Sequence, residues 1–269
     1  MTMTHQELTV GIPFHEGVDP IQLAEAIESI LNQTFGAASC HLIQNGSVSP
    51  EVSELVESYV REHSHVELIY VSKKGLAAAL NQSINKSTTQ FYARMDSDDI
   101  ALPDRFEKQI HYLTEHPEVL VLGGWAKEFN STSGVEAAVL KKVPTEPHVM
   151  HEWFHYRNPF IHPTIMFRTR LFETLGTYDE TYLTDQDLQL WGRVINANVP
   201  IANIPEVLIY FRTDNVISRR SQLAAVRRQA VARYSVKAGS LKLKILKIAA
   251  LSFRLMPNWI QSLGYRHLR

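Results

Sequence analysis

Four short apolar runs in the first hundred residues are each followed by apolar residues at helical spacing, and this alternation constrains the fold more than any other property of the chain. Leu8 to Ile12 reads as a strand. Asp19-Pro20 then offers an N-cap and a proline at the first helical position, and Ile21, Ala24, Ile27, Ile30 and Leu31 follow on helical spacing. Cys40 to Ile43 is a second strand, and Ser49-Pro50 opens a helix with Val52, Leu55, Val56 and Tyr59 on one face. Val66 to Val71, a helix over Leu76 to Ile84, and a strand over Phe91 to Met95 continue the pattern. Such alternation with short links implies a mainly parallel α/β sheet covered by helices on both faces, with ligands bound beyond the carboxyl ends of the strands.

Past Asp99 the pattern loosens. Pro103 to Glu115 reads as a helix stopped by Pro117, and Val119 to Leu122 as a strand, with an irregular region to about Asn158. A strand over Thr164 to Phe167, helices near 168–175 and 185–197, and short strands at 201–204 and 207–211 precede a basic helical tail. No internal repeat divides the 269 residues, so the expected organisation is one domain over 1–214 and a tail over 215–269. The single cysteine, Cys40, excludes an intrachain disulfide framework and a cysteine-rich zinc module. Met1 to Thr9 shows no signal-type apolar stretch, and no run approaches the ~18 apolar residues of a spanning helix. Charge is unevenly spread: twelve Lys and Arg and no Asp or Glu follow Asp214, whereas 15 basic and 28 acidic residues precede it. The tail is therefore expected to face something anionic.

Asp96-Ser97-Asp98-Asp99 directly follows the fourth strand. Three carboxylates in four residues repel one another unless a positive charge sits between them, and a hard divalent cation such as Mg²⁺ or Mn²⁺ resolves the conflict. The bland alternative is a solvated acidic turn.

At this point the chain resembles family 2 glycosyltransferases, inverting, nucleotide-sugar-dependent enzymes of the GT-A fold. The resemblance is carried by Val10-Gly11-Ile12-Pro13-Phe14, by Ser29-Ile30-Leu31-Asn32-Gln33-Thr34-Phe35 and by Gly75 to Asn81. Met95 to Asp99 with Leu102-Pro103-Asp104-Arg105, His162-Pro163-Thr164, and Asp185-Gln186-Asp187-Leu188-Gln189-Leu190-Trp191 follow in the same order. Together these span about residues 8–213.

The resemblance implies roles. Asp98 ligands the metal, and Asp96 contacts the nucleotide ribose or the metal shell. Asp185 is the base that deprotonates the acceptor hydroxyl, with Asp187, His162 and Trp191 in support on the acceptor side. Pro13, Phe14, Glu16, Asn45, Lys74 and Asn81 fall on the nucleotide side, with the Phe14 ring open to base stacking or to plain core packing. Asn45 stands where the family usually has a base-reading Asp; an amide both accepts from N3–H and donates to O4 of uracil or thymine, which favours UDP or dTDP donors. Two positions depart from the family pattern. Thr184 replaces the usual Glu before the base, and Asp214 occupies the position of a metal-ligating His in Arg-x-His, so a third ligand from Asp214 is an open expectation.

A rival motif, His151-Glu152-Trp153-Phe154-His155, fits H-E-x-x-H, but Asn158 and Ile161 break the extended zinc pattern and Pro159 closes the helix early. In the tail, Leu241, Ile245, Ile248, Leu255 and Met256 fall on one helical face, with Lys244, Lys247 and Arg254 on the other and Lys242 apart. That pattern suits an anionic membrane surface, while no groove-reading motif supports nucleic-acid binding. The expected activity is inverting transfer of a single sugar from a UDP- or dTDP-sugar to a lipid-linked or saccharide acceptor, with Mn²⁺ or Mg²⁺, in surface polysaccharide biosynthesis. No Gln-x-x-Arg-Trp run points to processive synthesis. The expected location is cytoplasmic, peripheral on the inner face of the plasma membrane. A nucleotidyltransferase and a non-catalytic nucleotide- or glycan-binding module of the same fold remain as rivals.

Overall fold

Two local signals start the first half of the molecule as its sequence demands. In a computed structural model, which describes residues 7–214, 223–256 and 260, the Asp19 carboxylate accepts from the backbone of Ile21 (2.9 Å) and Gln22 (3.3 Å) and opens helix α1 (Pro20–Leu31). Ser49 caps α2 (Pro50–Glu62) by accepting from Val52 N at 3.3 Å. Strand β1 (Leu8–His15) precedes α1 and β2 (Ser39–Asn45) lies between the two helices, followed by β3 (Val66–Val71), α3 (Leu76–Lys86) and β4 (Phe91–Arg94). A two-residue strand β5 (Ile100–Ala101), α4 (Arg105–Glu115), β6 (Val121–Phe129), β7 (Val139–Lys141) and α5 (Pro147–Phe154) come next. The chain continues through β8 (Met166–Arg168), α6 (Arg170–Leu175), α7 (Gln186–Asn196), β9 (Ile201–Arg212), α8 (Leu223–Tyr234) and α9 (Leu241–Phe253).

The strands form one mixed sheet in the order β3-β2-β1-β4-β8-β6-β9-β5, with β7 paired to β6. β3, β2, β1 and β4 are parallel neighbours, as alternation with helices requires. β8 is antiparallel to both β4 and β6, so β6 and its parallel partner β9 again run in the direction of β1 to β4. The ends of β4, β6 and β9 therefore open on the same edge of the sheet. One face of the sheet packs Leu8, Val10, Ile12 and Phe14 against α1, α2 and α4, through Leu23, Ile27, Val52, Phe106 and Ile110. The other face packs Tyr92, Val121 and Phe167 against α3, α5 and α7, through Leu80, Phe154 and Trp191. The α/β class, the mainly parallel sheet and the two covered faces agree with the sequence.

Three expectations change. The strands at 201–204 and 207–211 are one strand, β9, which passes Pro205 by register shifts opposite Gly124 and Trp125; a proline has no N–H to give the ladder, and an irregularity absorbs it. The irregular stretch before Asn158 contains the second half of β6, β7 and α5. The tail is also less detached than a division at 214 implies. Arg233 on α8 is buried and donates to Phe154 O and to Arg157 O (3.2 Å). Lys247, expected on the solvated face of α9, is buried and donates to Arg233 O (2.7 Å) and Val236 O (2.9 Å), closing the end of α8. Residues 215–222, 257–259 and 261–269 of that tail lie outside the described residues.

Candidate active site

Asp96 to Asp99 leave the sheet at the end of β4. Oxygens of Asp96, Asp98 and Asp99 lie within 4.8 Å of one another, and among the described residues this is the one acidic or histidine cluster arranged to hold a metal ion. Crowding has its electrostatic consequence. Burial first and Asp96 second push the Asp98 carboxyl up to about 6. The fully buried Asp99 is pushed well above the usual carboxylate range by burial, Asp96 and Asp98.

Two arginines frame the turn. Arg94, the buried last residue of β4, meets the Asp96 carboxylate with both terminal nitrogens, Nη1 donating to Oδ2 at 3.1 Å and Nη2 to Oδ1. Arg212, at the end of β9, donates its backbone N–H to Asp99 Oδ1 (2.8 Å), Nε to Asp98 O (2.7 Å), Nη1 to Ser131 Oγ (2.7 Å) and Nη2 to Glu25 (2.6 Å). Arg105 supports Arg94 from below, donating to its carbonyl at 2.9 Å, and burial followed by Arg94 lowers the Arg105 pKa to about 9. The segment after the turn is clamped by α1 and the residue that follows it by two. Ser29 Oγ accepts from Ala101 N (3.0 Å), while Gln33 donates to Leu102 O (2.7 Å) and accepts from Phe106 N (3.1 Å). The Ser-Ile-Leu-Asn-Gln run thus serves the acidic turn from seventy residues away.

These contacts leave Asp99 Oδ2 buried with no hydrogen-bond partner. An orphaned carboxylate oxygen beside two further carboxylates is a hard, oxygen-only donor set, and it fits Mn²⁺ or Mg²⁺.

The second acidic pair opens α7. Asp185 stands at the N-cap position in the left-handed region (φ 62°, ψ 19°), yet its side chain caps no helix N–H. Its Oδ1 accepts from Gln229 Nε2 of α8 (2.6 Å) and its Oδ2 from Thr184 Oγ1 (3.0 Å). Asp187 accepts from Asn158 Nδ2 (2.7 Å), and burial, with Asp185 as the next cause, raises its carboxyl above the ordinary range. The Arg94 charge acts on Asp98 and Asp99 and, as the smallest influence, on Asp187.

Other expected site residues are placed differently. Phe14 is 1% exposed, with Pro13 also buried, so the ring belongs to the core and is not available for stacking on a base. Asn45 has both ends of its amide engaged by the loop before α3, donating to Lys73 O (2.8 Å) and accepting from Gly75 N (2.9 Å), so base recognition through both ends is not its arrangement. Asn81 is buried and joined to Tyr178 O (2.9 Å), Tyr178 N (2.9 Å) and Glu180 (2.8 Å), which makes it a brace for the 178–180 loop. Trp191 is fully buried against Phe160 and His162, in the core rather than beside an acceptor. His162 meets Tyr178 OH at 2.8 Å, and burial with Arg94 holds it neutral. Asp214 is not part of the acidic cluster: Ser131 N (2.9 Å) and Oγ (2.5 Å) take its two oxygens, and these bonds lower its pKa. Glu16 and Lys74 are exposed at the strand-end edge.

The H-E-x-x-H residues of α5 form no metal cluster, and burial with Lys247 and Arg233 pulls His155 down to about 4. A depression of about 380 Å³ lined by Tyr112, His151, Pro200 and Ile201 sits where β6 and β9 begin, at the opposite end of the sheet from the acidic turn. Sequence reasoning missed Arg94, Arg212 and Gln229. A lone arginine inside the apolar run Phe91 to Met95 was the available signal for the first; nothing in the sequence marks the third.

The profile described as Glycosyl transferase family 2 matches residues 9–176. The amylovoran biosynthesis glycosyltransferase AmsE of Erwinia amylovora is 34% identical over 214 residues, 79% of each chain. The UDP-Gal:alpha-D-GlcNAc-diphosphoundecaprenol beta-1,3-galactosyltransferase of Escherichia coli is 29% identical over 201 residues, covering 75% of this chain and 72% of that protein. Among solved structures, residues 1–349 of S. aureus TarS in complex with UDP-GlcNAc superpose with a TM-score of 0.65 at 14% identity, over 93% of this chain and 72% of the other. The mannosyltransferase PcManGT of Pyrobaculum calidifontis, in complex with GDP-Man and Mn²⁺, gives 0.62 at 14% identity, over 94% of this chain and 71% of the other.

Proposed function

The chain belongs to glycosyl transferase family 2, and from that premise we propose that it transfers one sugar, with inversion, from a UDP-sugar to a lipid-linked saccharide in surface polysaccharide synthesis. The observation that carries this reading is the acidic turn at the end of β4 with its orphaned Asp99 oxygen. Relatives named for amylovoran and for a diphosphoundecaprenol-linked acceptor support the polysaccharide setting, and the UDP-Gal relative and the UDP-GlcNAc complex support the donor class. The Asn45 amide no longer argues for uracil or thymine.

Asp98 and Asp99, with Asp96 held back by Arg94, are the residues that would hold Mn²⁺ or Mg²⁺. Such an ion neutralises the charge that grows on the departing nucleoside diphosphate. Asp185 removes the proton of the acceptor hydroxyl as its oxygen attacks the anomeric carbon and the bond to the diphosphate breaks. Asp187, two residues on, is a buried carboxyl held by Asn158 on the same helix start.

A thermal-shift panel of UDP, dTDP, GDP and their sugars, with and without Mn²⁺, tests the donor assignment. Stabilisation by uridine nucleotides only when Mn²⁺ is present is the expected result; equal shifts without metal would reject it. Asp98→Ala should remove that shift and transfer together, and Asp185→Ala should remove transfer alone. Release of pyrophosphate instead of nucleoside diphosphate would move the protein to nucleotidyl chemistry.

We also assign α9 to an anionic membrane surface. No helix among the described residues is long and apolar enough to cross a membrane. Leu241, Ile245 and Ile248 are nonetheless 72%, 57% and 55% exposed, and Lys242 and Lys244 stand exposed among them.

A further inference from the structure

We propose that Gln229, on α8, is a positioning residue for Asp185, so that the catalytic unit extends past Asp214 into the basic tail. The inference rests on Asp185 being the base. A left-handed residue whose carboxylate caps nothing has lost the ordinary structural use of an Asp at a helix start. Its two oxygens are instead gripped from two sides. Gln229, 5% exposed, donates Nε2 to Oδ1 at 2.6 Å. Thr184 Oγ1 receives Arg228 Nη2 at 2.6 Å and Nε at 3.1 Å, so its own proton is left for Asp185 Oδ2, 3.0 Å away. One donor on each oxygen fixes the carboxylate plane and leaves the remaining lone pairs for an incoming hydroxyl.

Gln229 is in turn held by the way α8 lies on α7. A Cβ on Gly192 would stand 2.9 Å from Ser235 Oγ and 3.4 Å from Ala232 O, so the glycine permits close approach of the two segments. Asn196 Nδ2 donates to Ser235 O at 3.0 Å. Arg233 and Lys247 fasten the same helix at its far end. Thr184, which departs from the family's usual Glu, thus has a defined partner here in Arg228.

The test uses the full chain, Mn²⁺, UDP-galactose and UDP-N-acetylglucosamine as donors, and polyprenyl-diphosphate-linked GlcNAc as acceptor, with UDP release as readout. Gln229→Met keeps the length of the side chain and removes its donor. It should lower kcat on the order of ten- to a hundredfold, with donor KM, Mn²⁺-dependent UDP affinity and Tm close to those of the parent protein. Thr184→Val, which removes the other donor and with it the acceptor of Arg228 on α8, should lower kcat in the same way. Parent-like kcat in both variants overturns the proposal while leaving the base assignment intact, and so does a fall in kcat that only accompanies weakened UDP binding or folding. Turnover retained in Asp185→Asn means that the base assignment itself has failed, a separable result.

Discussion

A carboxyl raised to about 6, as that of Asp98 is, binds its proton more tightly in the folded chain than in the unfolded one, where an Asp titrates near about 3.9. Its stabilising contribution is therefore complete below the unfolded value and is lost as pH rises through about 6. At pH 7.5, above that value, the metal-free protein carries the repulsion of the Asp98 charge in this turn. Asp98→Asn is accordingly expected to raise the Tm of the metal-free protein at pH 7.5 by about 2 °C, a figure reduced for solvent screening of a partly exposed group. Mn²⁺ should stabilise the parent protein and not the variant, and Mn²⁺ affinity of the parent should fall as pH drops below about 6, where protons compete for the same oxygens. Differential scanning calorimetry with and without Mn²⁺ reads both, and a variant less stable than the parent would contradict the repulsion. Arg94 has the opposite sign. Arg94→Met strips the Asp96 carboxylate of its paired donor in a largely buried setting, and the expected loss is about 3 kcal/mol in urea unfolding, partly restored by Mn²⁺.

Among the elements, the contrast between local and distant partners decides what is legible in the sequence. The acidic turn was readable because its carboxylates are adjacent in the chain, and α1 and α2 because their caps are. The sequence marks the start of α4 but not its support: Asp104 caps nothing with its side chain, and the free N–H of Phe106 is taken by Gln33, 73 positions earlier. Such a cap leaves no trace in a window of ten or twenty residues. The same holds for the long β6, whose Trp125 is anchored by its Nε1 donating to Val143 O (2.9 Å), and for Phe14 and Trp191, which have the chemistry of ligand contacts and the burial of core. A single aromatic residue has the same letter in both roles. Gln33→Ala leaves Phe106 N without its partner and Leu102 O with only the Arg105 N–H, so a loss of about 2 kcal/mol is expected. Because β5 and the acidic turn hang from that clamp, Mn²⁺ affinity should weaken several-fold as well, measured by titration calorimetry. Unchanged affinity at reduced stability would show that the clamp serves the helix alone.

At the scale of the whole molecule, sheet direction and charge distribution meet. The reversed strand β8 restores β6 and β9 to the direction of β4, which brings Asp99, Ser131 and Arg212 to one edge, and α8 reaches Asp185 through Gln229. The same α8 is closed by Lys247 of α9, the helix that leaves Leu241, Ile245 and Ile248 in solvent. A net charge of −1 would not bring the chain to an anionic surface as a sphere; a segment with twelve cations and no acid would, and would orient it as it did so. With Lys247 buried, the cations left to face lipid on α9 are Lys242 and Lys244, worth about 1 kcal/mol each near the surface. The apolar side chains must then supply most of the affinity. In flotation with vesicles of phosphatidylcholine and 30 mol% phosphatidylserine (about one anionic lipid in three), the full chain is expected to bind, and vesicles of phosphatidylcholine alone to bind far less. Replacing Leu241, Ile245 and Ile248 together by Ser should weaken binding by more than tenfold, since each buried side chain contributes on the order of 1 kcal/mol. Lys242→Glu with Lys244→Glu should weaken it by a comparable factor that shrinks as salt is raised, because only that term is screened. Equal binding to neutral and anionic vesicles, or a triple-Ser variant that floats like the parent protein, would remove α9 from the membrane while leaving the chemistry at the sheet edge untouched.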